Sequence, residues 1–443
     1  MPPAKWKGSW PCWGEPRRLA SDPLINERVD AWKASQNTKD QRRGEVMPLS
    51  GLMIPSARVE DSTPTSIAIF TFPNRILFGA GTRTHLASEL ARLGVTRPLV
   101  VTDTGLERSG IVAEVVKGLG GATVFNGVQA NPTEADVLAG LDVYRGNECD
   151  GLVGLGGGSS IDAAKAIRIL VTHPGDLADY DFTAGGMDRI TADLPPMAAI
   201  PTTAGTGSEA GRGTLIQISR TGRKTIALSP FLLPNVAICD PDLTMGLSPE
   251  LTAGTGMDAF THCIESYLST TEHPICDGIA LEGLRYAARG LETAVREGSN
   301  VSARRSMMMG ALLGGISFHK GLGVVHALSH ALGSEGRAHH GTLNAILLPH
   351  ALRFNRDAAG PRMSELAARL GLGRAGEGPS HLITLCELLV TRLPLPRKLG
   401  EVEGLSSDRI PEYARLAMID HCHRTNPRPC TQPELEALLE HAW

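Results

Sequence analysis

Aromatic residues are scarce in this chain: Phe, Trp and Tyr together make up 4% of its 443 residues. So few rings cannot furnish the stacking platform on which single-stranded nucleic acid binds. Neither sign of charge dominates either, since 43 Lys and Arg against 47 Asp and Glu leave a net −4. That balance excludes a polybasic surface for nucleic acid or anionic lipid. No apolar run approaches the ~18 residues of a bilayer span, and the N-terminus lacks the basic start and apolar core of a secretory signal. The eight cysteines (Cys12, Cys149, Cys239, Cys263, Cys276, Cys386, Cys422 and Cys430) include no CxxC pair and are too few for a disulfide framework in so long a chain. Reduced thiols, a cytoplasmic location and no nucleic-acid or membrane partner are the expectation. Disorder of the whole chain is excluded as well, because 42% hydrophobic and 20% charged residues is an ordinary globular balance.

What is present is uneven along the chain. A length near three times a ~150-residue domain predicts two domains after any tail. The first 62 residues hold Trp6, Trp10, Trp13 and Trp32, interspersed with prolines such as Pro2, Pro3, Pro11, Pro16 and Pro23, with no sustained period. They read as a poorly ordered N-terminal extension, with Met47 and Met53 as candidate starts. The alternative is a docking segment whose tryptophans anchor on a partner or second subunit. Further on, short β-branched runs at 98–103, 152–155 and 197–201 alternate with helical patterns at 84–93, 133–144 and 162–170. That alternation predicts an α/β domain over 63–243 with a parallel sheet covered by helices. Beyond Asp240-Pro241 helical patterns dominate, predicting a helical domain over 244–443, and a cleft between the two suits a ligand.

Glycine is abundant, at 50 residues, and clustered. Gly154-Leu155-Gly156-Gly157-Gly158-Ser159-Ser160 leaves a strand and opens a helix, where bare backbone N–H groups and the helix N-terminus favour a diphosphate. The ordinary dinucleotide fingerprint is absent: its acid follows the glycines, whereas Asp103, at a strand tip, precedes them. Pro201-Thr202-Thr203-Ala204-Gly205-Thr206-Gly207-Ser208-Glu209 is a second such turn, and the two together could clamp an extended dinucleotide. Asp103 suits a ribose hydroxyl pair and repels a 2′-phosphate; it would equally serve as a helix N-cap.

In the second half, Asp258 and His262 stand one helical turn apart, as do His326 and His330, and His339 and His340 follow. A single buried histidine is usually a satisfied core residue. This many polar rings need a shared partner, and imidazoles with a carboxylate suit Fe2+ or Zn2+. Spacing alone leaves open which of His326, His330, His339 and His340 are ligands.

The strings GGGSSIDAAKAI (156–167), PTTAGTGSE (201–209), DPDLT (240–244), TGMDAFTHCIESYLS (255–269), GLGVVHALSHALG (321–333) and HHGTLNAILLPH (339–350) carry a resemblance. From about Phe70 to its C-terminus the chain resembles the iron-containing (group III) alcohol dehydrogenases, relatives of glycerol dehydrogenase and dehydroquinate synthase. The resemblance implies a Rossmann-like nucleotide-binding domain followed by a helical metal-binding domain. It implies that Asp258, His262, His326 and His340 are the ligands of one divalent metal, Fe2+ foremost with Zn2+ as the other choice; His340 is preferred to His339 because the family's ligand directly precedes the glycine. It places Asp103 where the family selects NAD over NADP, and Asn131, Gly157, Gly158, Ser159, Thr202, Thr203, Thr206 and Lys224 along the dinucleotide. His330 matches a histidine beside metal and nicotinamide, either relaying the substrate proton or only shaping the pocket. The activity implied is hydride transfer between NAD and a primary alcohol or its aldehyde, by a homodimer or larger homo-oligomer. Lys320, with Arg212 or Arg337, could instead pair with the carboxylate of an ω-hydroxy acid such as 4-hydroxybutyrate. A metal-free maleylacetate-reductase-like enzyme is the nearest rival, and the complete Asp/His/His/His set argues against it.

Overall fold

In a computed structural model the chain is described over residues 74–220, 222–334, 339–372 and 378–443. The extension expected over 1–62 and Arg337 lie outside the described residues. Short apolar runs bounded by turn residues become strands β1 (Arg75–Phe78), β2 (Pro98–Val101), β3 (Thr123–Phe125), β4 (Gly151–Gly156), β5 (Met197–Pro201), β6 (Gly213–Ile218), β7 (Arg223–Leu228) and β8 (Val236–Cys239). Every residue of β2, β4, β5 and β8 is buried, as a sheet covered on both faces requires. Six strands pair in parallel in the order β1-β8-β5-β4-β2-β3. β6 and β7 form a separate antiparallel hairpin.

The crossovers are helices α1 (Leu86–Arg92), α2 (Thr104–Arg108), α3 (Ile111–Val116), α4 (Glu134–Gly146) and α5 (Gly158–Thr172). α4 is opened by a capping box in which Thr133 and Asp136 exchange hydrogen bonds with each other's backbone N–H. One apolar cluster under α4 and α5 covers one side of the sheet; a second, holding Leu86, Val112 and Ile238, covers the other.

From β2 the chain moves outward to β3, then crosses back to β4 and on to β5. Neighbouring strands β2 and β4 therefore send their connections in opposite directions. The crevice beyond their carboxyl ends is the usual ligand position in such sheets. The tips of β4 and β5 are adjacent, with Gly156 opposite Pro201, so both glycine-rich turns open into that crevice.

After β8 the chain turns helical: α6 (Pro249–Leu268), α7 (Pro274–Arg296), α8 (Val301–Ser317), α9 (Val324–Gly333), α10 (His340–Arg369), α11 (Ser380–Arg392), α12 (Ile410–Ile419) and α13 (Gln432–Ala442). They share one large apolar core in which α6 is almost wholly buried. The described residues pack as one compact unit. Among the described residues no single helix is long and apolar enough to cross a membrane, and the described cysteines are all free thiols.

Candidate active site

The nucleotide side of the crevice assembles around the two glycine turns. Ser159 Oγ donates to the Ala130 carbonyl at 2.6 Å, and Lys224 Nζ donates to Asn131 Oδ1 at 2.6 Å, tying the β7 strand to the loop before α4. The Thr202 backbone N–H donates to the Gly156 carbonyl at 2.9 Å. A side chain at Gly158 would strike Thr206, at 2.8 Å from its Cγ2, whereas one at Gly157 would only touch Thr203. Gly157, Gly158 and Ser159 stand on the first turn and Thr202, Thr203 and Thr206 on the second, with Asn131 and Lys224 bonded to each other nearby. Asp103 serves as a helix N-cap: Oδ1 caps α2 by accepting the Leu106 N–H at 2.9 Å, while Oδ2 lies toward Gly156.

Sequence reasoning missed what holds the second turn in shape. Lys165, wholly buried, donates to the carbonyls of Ser208, Gly211 and Gly213 at 2.7–2.9 Å. Burial pushes its ammonium down to about 8, against an opposing pull from Asp162. Asp162 in turn accepts from Ser208 Oγ and the Leu215 N–H.

The second turn lies directly on the helical layer. A Cβ at Gly205 would fall 2.5 Å from the Thr255 carbonyl of α6, within one turn of Asp258. On α6, Asp258, His262 and Glu265 follow at one-turn intervals and share a face. α9 adds His326 and His330, and α10 opens with His340. Gly341 permits the approach of α10, since a Cβ there would lie 2.0 Å from the Gly254 carbonyl. His339 is set apart, at the N-cap of α10 with Nδ1 3.4 Å from Thr342 Oγ1.

Three imidazole Nε2 atoms point at one oxygen. His262 and His326 stand 3.6 Å from Asp258 Oδ1, and His340 stands 3.5 Å away. Those spacings are long for hydrogen bonds. They match the edge of a tetrahedron whose centre is ~2.1 Å from each ligand, which is ~3.4 Å. Asp258, His326 and His340 keep their ligand atoms within 4.8 Å of one another, and His262 joins from the Asp258 side.

The electrostatics suit a bound cation. Asp258 is 2% exposed; burial would raise its carboxyl, but His262, His340 and His326 outweigh that and hold it far below the usual range. Burial keeps His262 neutral, down to about 4, and lowers His340 strongly, so their lone pairs are available. His326 differs: burial lowers it, yet Asp258 and Glu265 together raise it to about 9. Two carboxylates on one imidazole call for a cation, and a metal at Nε2 would replace that proton.

Two supporting residues were missed from sequence. Glu265 accepts from His326 Nδ1 at 2.6 Å and from the Val325 N–H at 2.8 Å, which turns the His326 Nε2 lone pair toward Asp258. Asn344 Nδ2 donates to Asp258 Oδ1 at 2.8 Å and lies 3.1 Å from His340 Nε2. Both carried a signal, one turn from His262 and His340 respectively. His330 is placed beside the cluster, stacked on His340 at 5.2 Å, with its Nδ1 2.9 Å from Asp420 Oδ2.

The expectation for Lys320 is corrected here. It is 4% exposed, and its Nζ donates to Asp277 Oδ1 at 2.6 Å and to the Tyr267 carbonyl at 3.2 Å. Arg362 stands 2.9 Å from the same carboxylate oxygen. Lys320 is therefore neutralised inside the helical layer. Arg212, which donates to the His319 carbonyl at 3.2 Å, forms no ion pair among the described residues.

Comparison with known proteins gives the same picture. The profile of iron-containing alcohol dehydrogenases matches residues 73–241, and that of the Fe-containing alcohol dehydrogenase family, C-terminal, matches 252–443. The chain is 42% identical over 381 residues to 4-hydroxybutyrate dehydrogenase of Cupriavidus necator, covering 84% of this chain and 99% of that relative. The chain belongs to the iron-containing alcohol dehydrogenase family. Like other members of that family it is an oxidoreductase acting on CH–OH groups. Solved structures that resemble it include 1,3-propanediol oxidoreductase, with TM-score 0.82, 35% identity and coverage of 85% of this chain and 100% of that one. Another is sulfoacetaldehyde reductase from Bifidobacterium kashiwanohense in complex with NAD+, with TM-score 0.77, 29% identity and coverage of 85% and 99%. The parallel sheet followed by a helical layer is thus the architecture of iron-containing alcohol dehydrogenases.

Proposed function

We propose that this chain is an NAD-dependent, divalent-metal-dependent alcohol dehydrogenase and aldehyde reductase for primary alcohols and their aldehydes. The observation that carries this reading is the convergence of three imidazole Nε2 atoms on one buried carboxylate oxygen, at 3.5–3.6 Å, against the turn of the nucleotide crevice. In it Asp258, His262, His326 and His340 hold the metal, Fe2+ in preference to Zn2+, and Glu265 and Asn344 orient them. Asp103 selects NAD over NADP, and Asn131, Gly157, Gly158, Ser159, Thr202, Thr203, Thr206 and Lys224 line the dinucleotide; the NAD+ in the sulfoacetaldehyde reductase structure supports that cofactor. The free thiols suit a reducing compartment, the cytoplasm.

The chemistry supplied by a bound cation is Lewis-acid polarisation of the substrate oxygen, and that supplied by the nicotinamide is hydride exchange. The chain's own groups position both. His330, beside the ligands and lining the cleft with Lys224 and Asp420, accepts the alcohol's hydroxyl proton during oxidation and returns it during reduction.

Elemental analysis of the purified enzyme together with an NAD-linked alcohol panel tests the reading. His262→Ala is expected to lose the metal and turnover while NAD binding stays measurable by titration. Full turnover in a metal-stripped His262→Ala preparation overturns it.

The 42% identity to 4-hydroxybutyrate dehydrogenase favours a second reading, an ω-hydroxy acid substrate. With Lys320 neutralised by Asp277, Arg212 is the candidate for its carboxylate among the described residues, Arg337 lying outside them. Turnover of 4-hydroxybutyrate and butanol by wild type and Arg212→Ala decides: a loss confined to 4-hydroxybutyrate supports the acid, and equal losses remove it.

A further inference from the structure

The last turn before the C-terminal helix α13 brings a carboxylate to the proton-handling histidine. Asp420 follows α12 directly and lies 90 residues from His330, yet its Oδ2 is 2.9 Å from His330 Nδ1. Its other oxygen accepts the Cys422 N–H at 2.8 Å, which fixes the carboxylate's rotation. Burial would raise Asp420, but the neighbouring His330 imidazole holds it well below the usual range. A carboxylate only accepts hydrogen bonds, so the ring tautomer that pairs with it carries its proton on Nδ1. His330 Nε2 is then the lone-pair nitrogen, and among the described residues it makes no hydrogen bond. Both residues line a cleft shared with Lys224, Thr225 and His421.

We propose that Asp420 is the positioning residue of the proton relay, holding His330 in the tautomer that presents Nε2 to the substrate hydroxyl. The proposal rests on the reading of His330 given above. Oxidation removes a hydride and a proton from the alcohol. A bound nicotinamide would take the hydride with its electron pair; the O–H proton passes to His330 Nε2, and the imidazolium, paired with Asp420, releases it to solvent. Losing the carboxylate frees the ring to rotate or to adopt the other tautomer, which blocks that transfer while leaving the metal ligands in place.

His330, Asp420 and Cys422 also keep potential ligand atoms within 4.8 Å of one another. Hydrogen bonds already occupy both Asp420 oxygens, so the structure favours positioning over a second cation.

The experiment uses the metal-loaded enzyme with NAD and an alcohol it turns over, comparing Asp420→Asn, Asp420→Glu, His330→Ala and the Asp420→Asn/His330→Ala pair. Metal content and melting temperature are measured on each. For Asp420→Asn, kcat is expected to fall on the order of 100-fold, the lower end of what general acid–base catalysis contributes. KM and metal content should hold within about twofold, and the double variant should fall little below His330→Ala. Asp420→Glu, which restores the carboxylate, should recover part of kcat. Additive losses in the double variant, or a loss of turnover matched by a loss of metal, overturn the proposal. So does a second cation per chain that disappears in both Asp420→Asn and Cys422→Ser. If His330→Ala retains full kcat, the relay reading itself falls; if only Asp420→Asn does, His330 stands and the role of Asp420 is removed.

Discussion

At the scale of single residues, the candidate metal centre divides into groups that would touch a cation and groups that aim them. Glu265 takes the Nδ1 proton of His326 and Asn344 donates to Asp258. Such outer partners tune metal affinity by ~10–100-fold. Glu265→Gln and Asn344→Ala are each expected to weaken metal retention by about that factor in a chelator competition, with NAD affinity unchanged. The ligand spacing was legible because pairs one helical turn apart leave a mark on the chain itself. Asp420 left none, since its partner lies 90 residues away on another helix. Lys320 misled for the same reason: its neutralising Asp277 comes from α7 and is invisible to local reading.

At the scale of elements, the strands were legible where burial on both faces made them continuous apolar runs. β5 matches the expected 197–201 at both ends, and β4 extends the expected 152–155 by one residue on each side. The hairpin of β6 and β7 went unread, although the burial of β6 alternates residue by residue, because its alternation sits between the two motifs that dominated the reading. The edge strand β1 was also missed. It is short and is held partly by charge: Arg75 makes a two-pronged contact with Glu89 of α1, both bonds at 2.9 Å, and Arg92 adds a third at 2.8 Å. These guanidinium bonds, Arg75's first, lower Glu89 to about 2 against the upward pull of burial. A carboxyl depressed on folding stabilises the fold fully above its unfolded value of 4.5 and loses that contribution as pH falls toward 2. Glu89→Gln should therefore melt a few degrees below wild type near neutral pH, with the gap closing in melting curves recorded at progressively lower pH beneath ~4.5.

At the scale of the whole molecule, the crevice is where two layers meet with almost no clearance. Gly207, at the end of the second glycine turn, lies against Gly315 of α8; a Cβ at Gly315 would fall 2.5 Å from the Gly207 Cα. Both neighbours are backbone, so neither can yield cheaply. Gly315→Ala is expected to cost about 1–3 kcal/mol, the usual range for an overpacked core. Because the turn it displaces borders both sites, NAD affinity and metal content should drop together in a titration and an elemental analysis of the same preparation. The two-layer architecture itself was legible from the change of texture after Asp240. This tight seam was not, because the glycines of α8 carry no mark of what faces them.

The residues that converge on Asp258 come from three helices, and the whole of α7 and α8 separates the first from the rest. During synthesis on the ribosome, the emerging chain cannot present the full ligand set until His340 has left the exit tunnel and α10 has docked. The ion proposed here can therefore meet its full ligand set only after three-quarters of the chain has been made, so a chain truncated before His340 is expected to lack it.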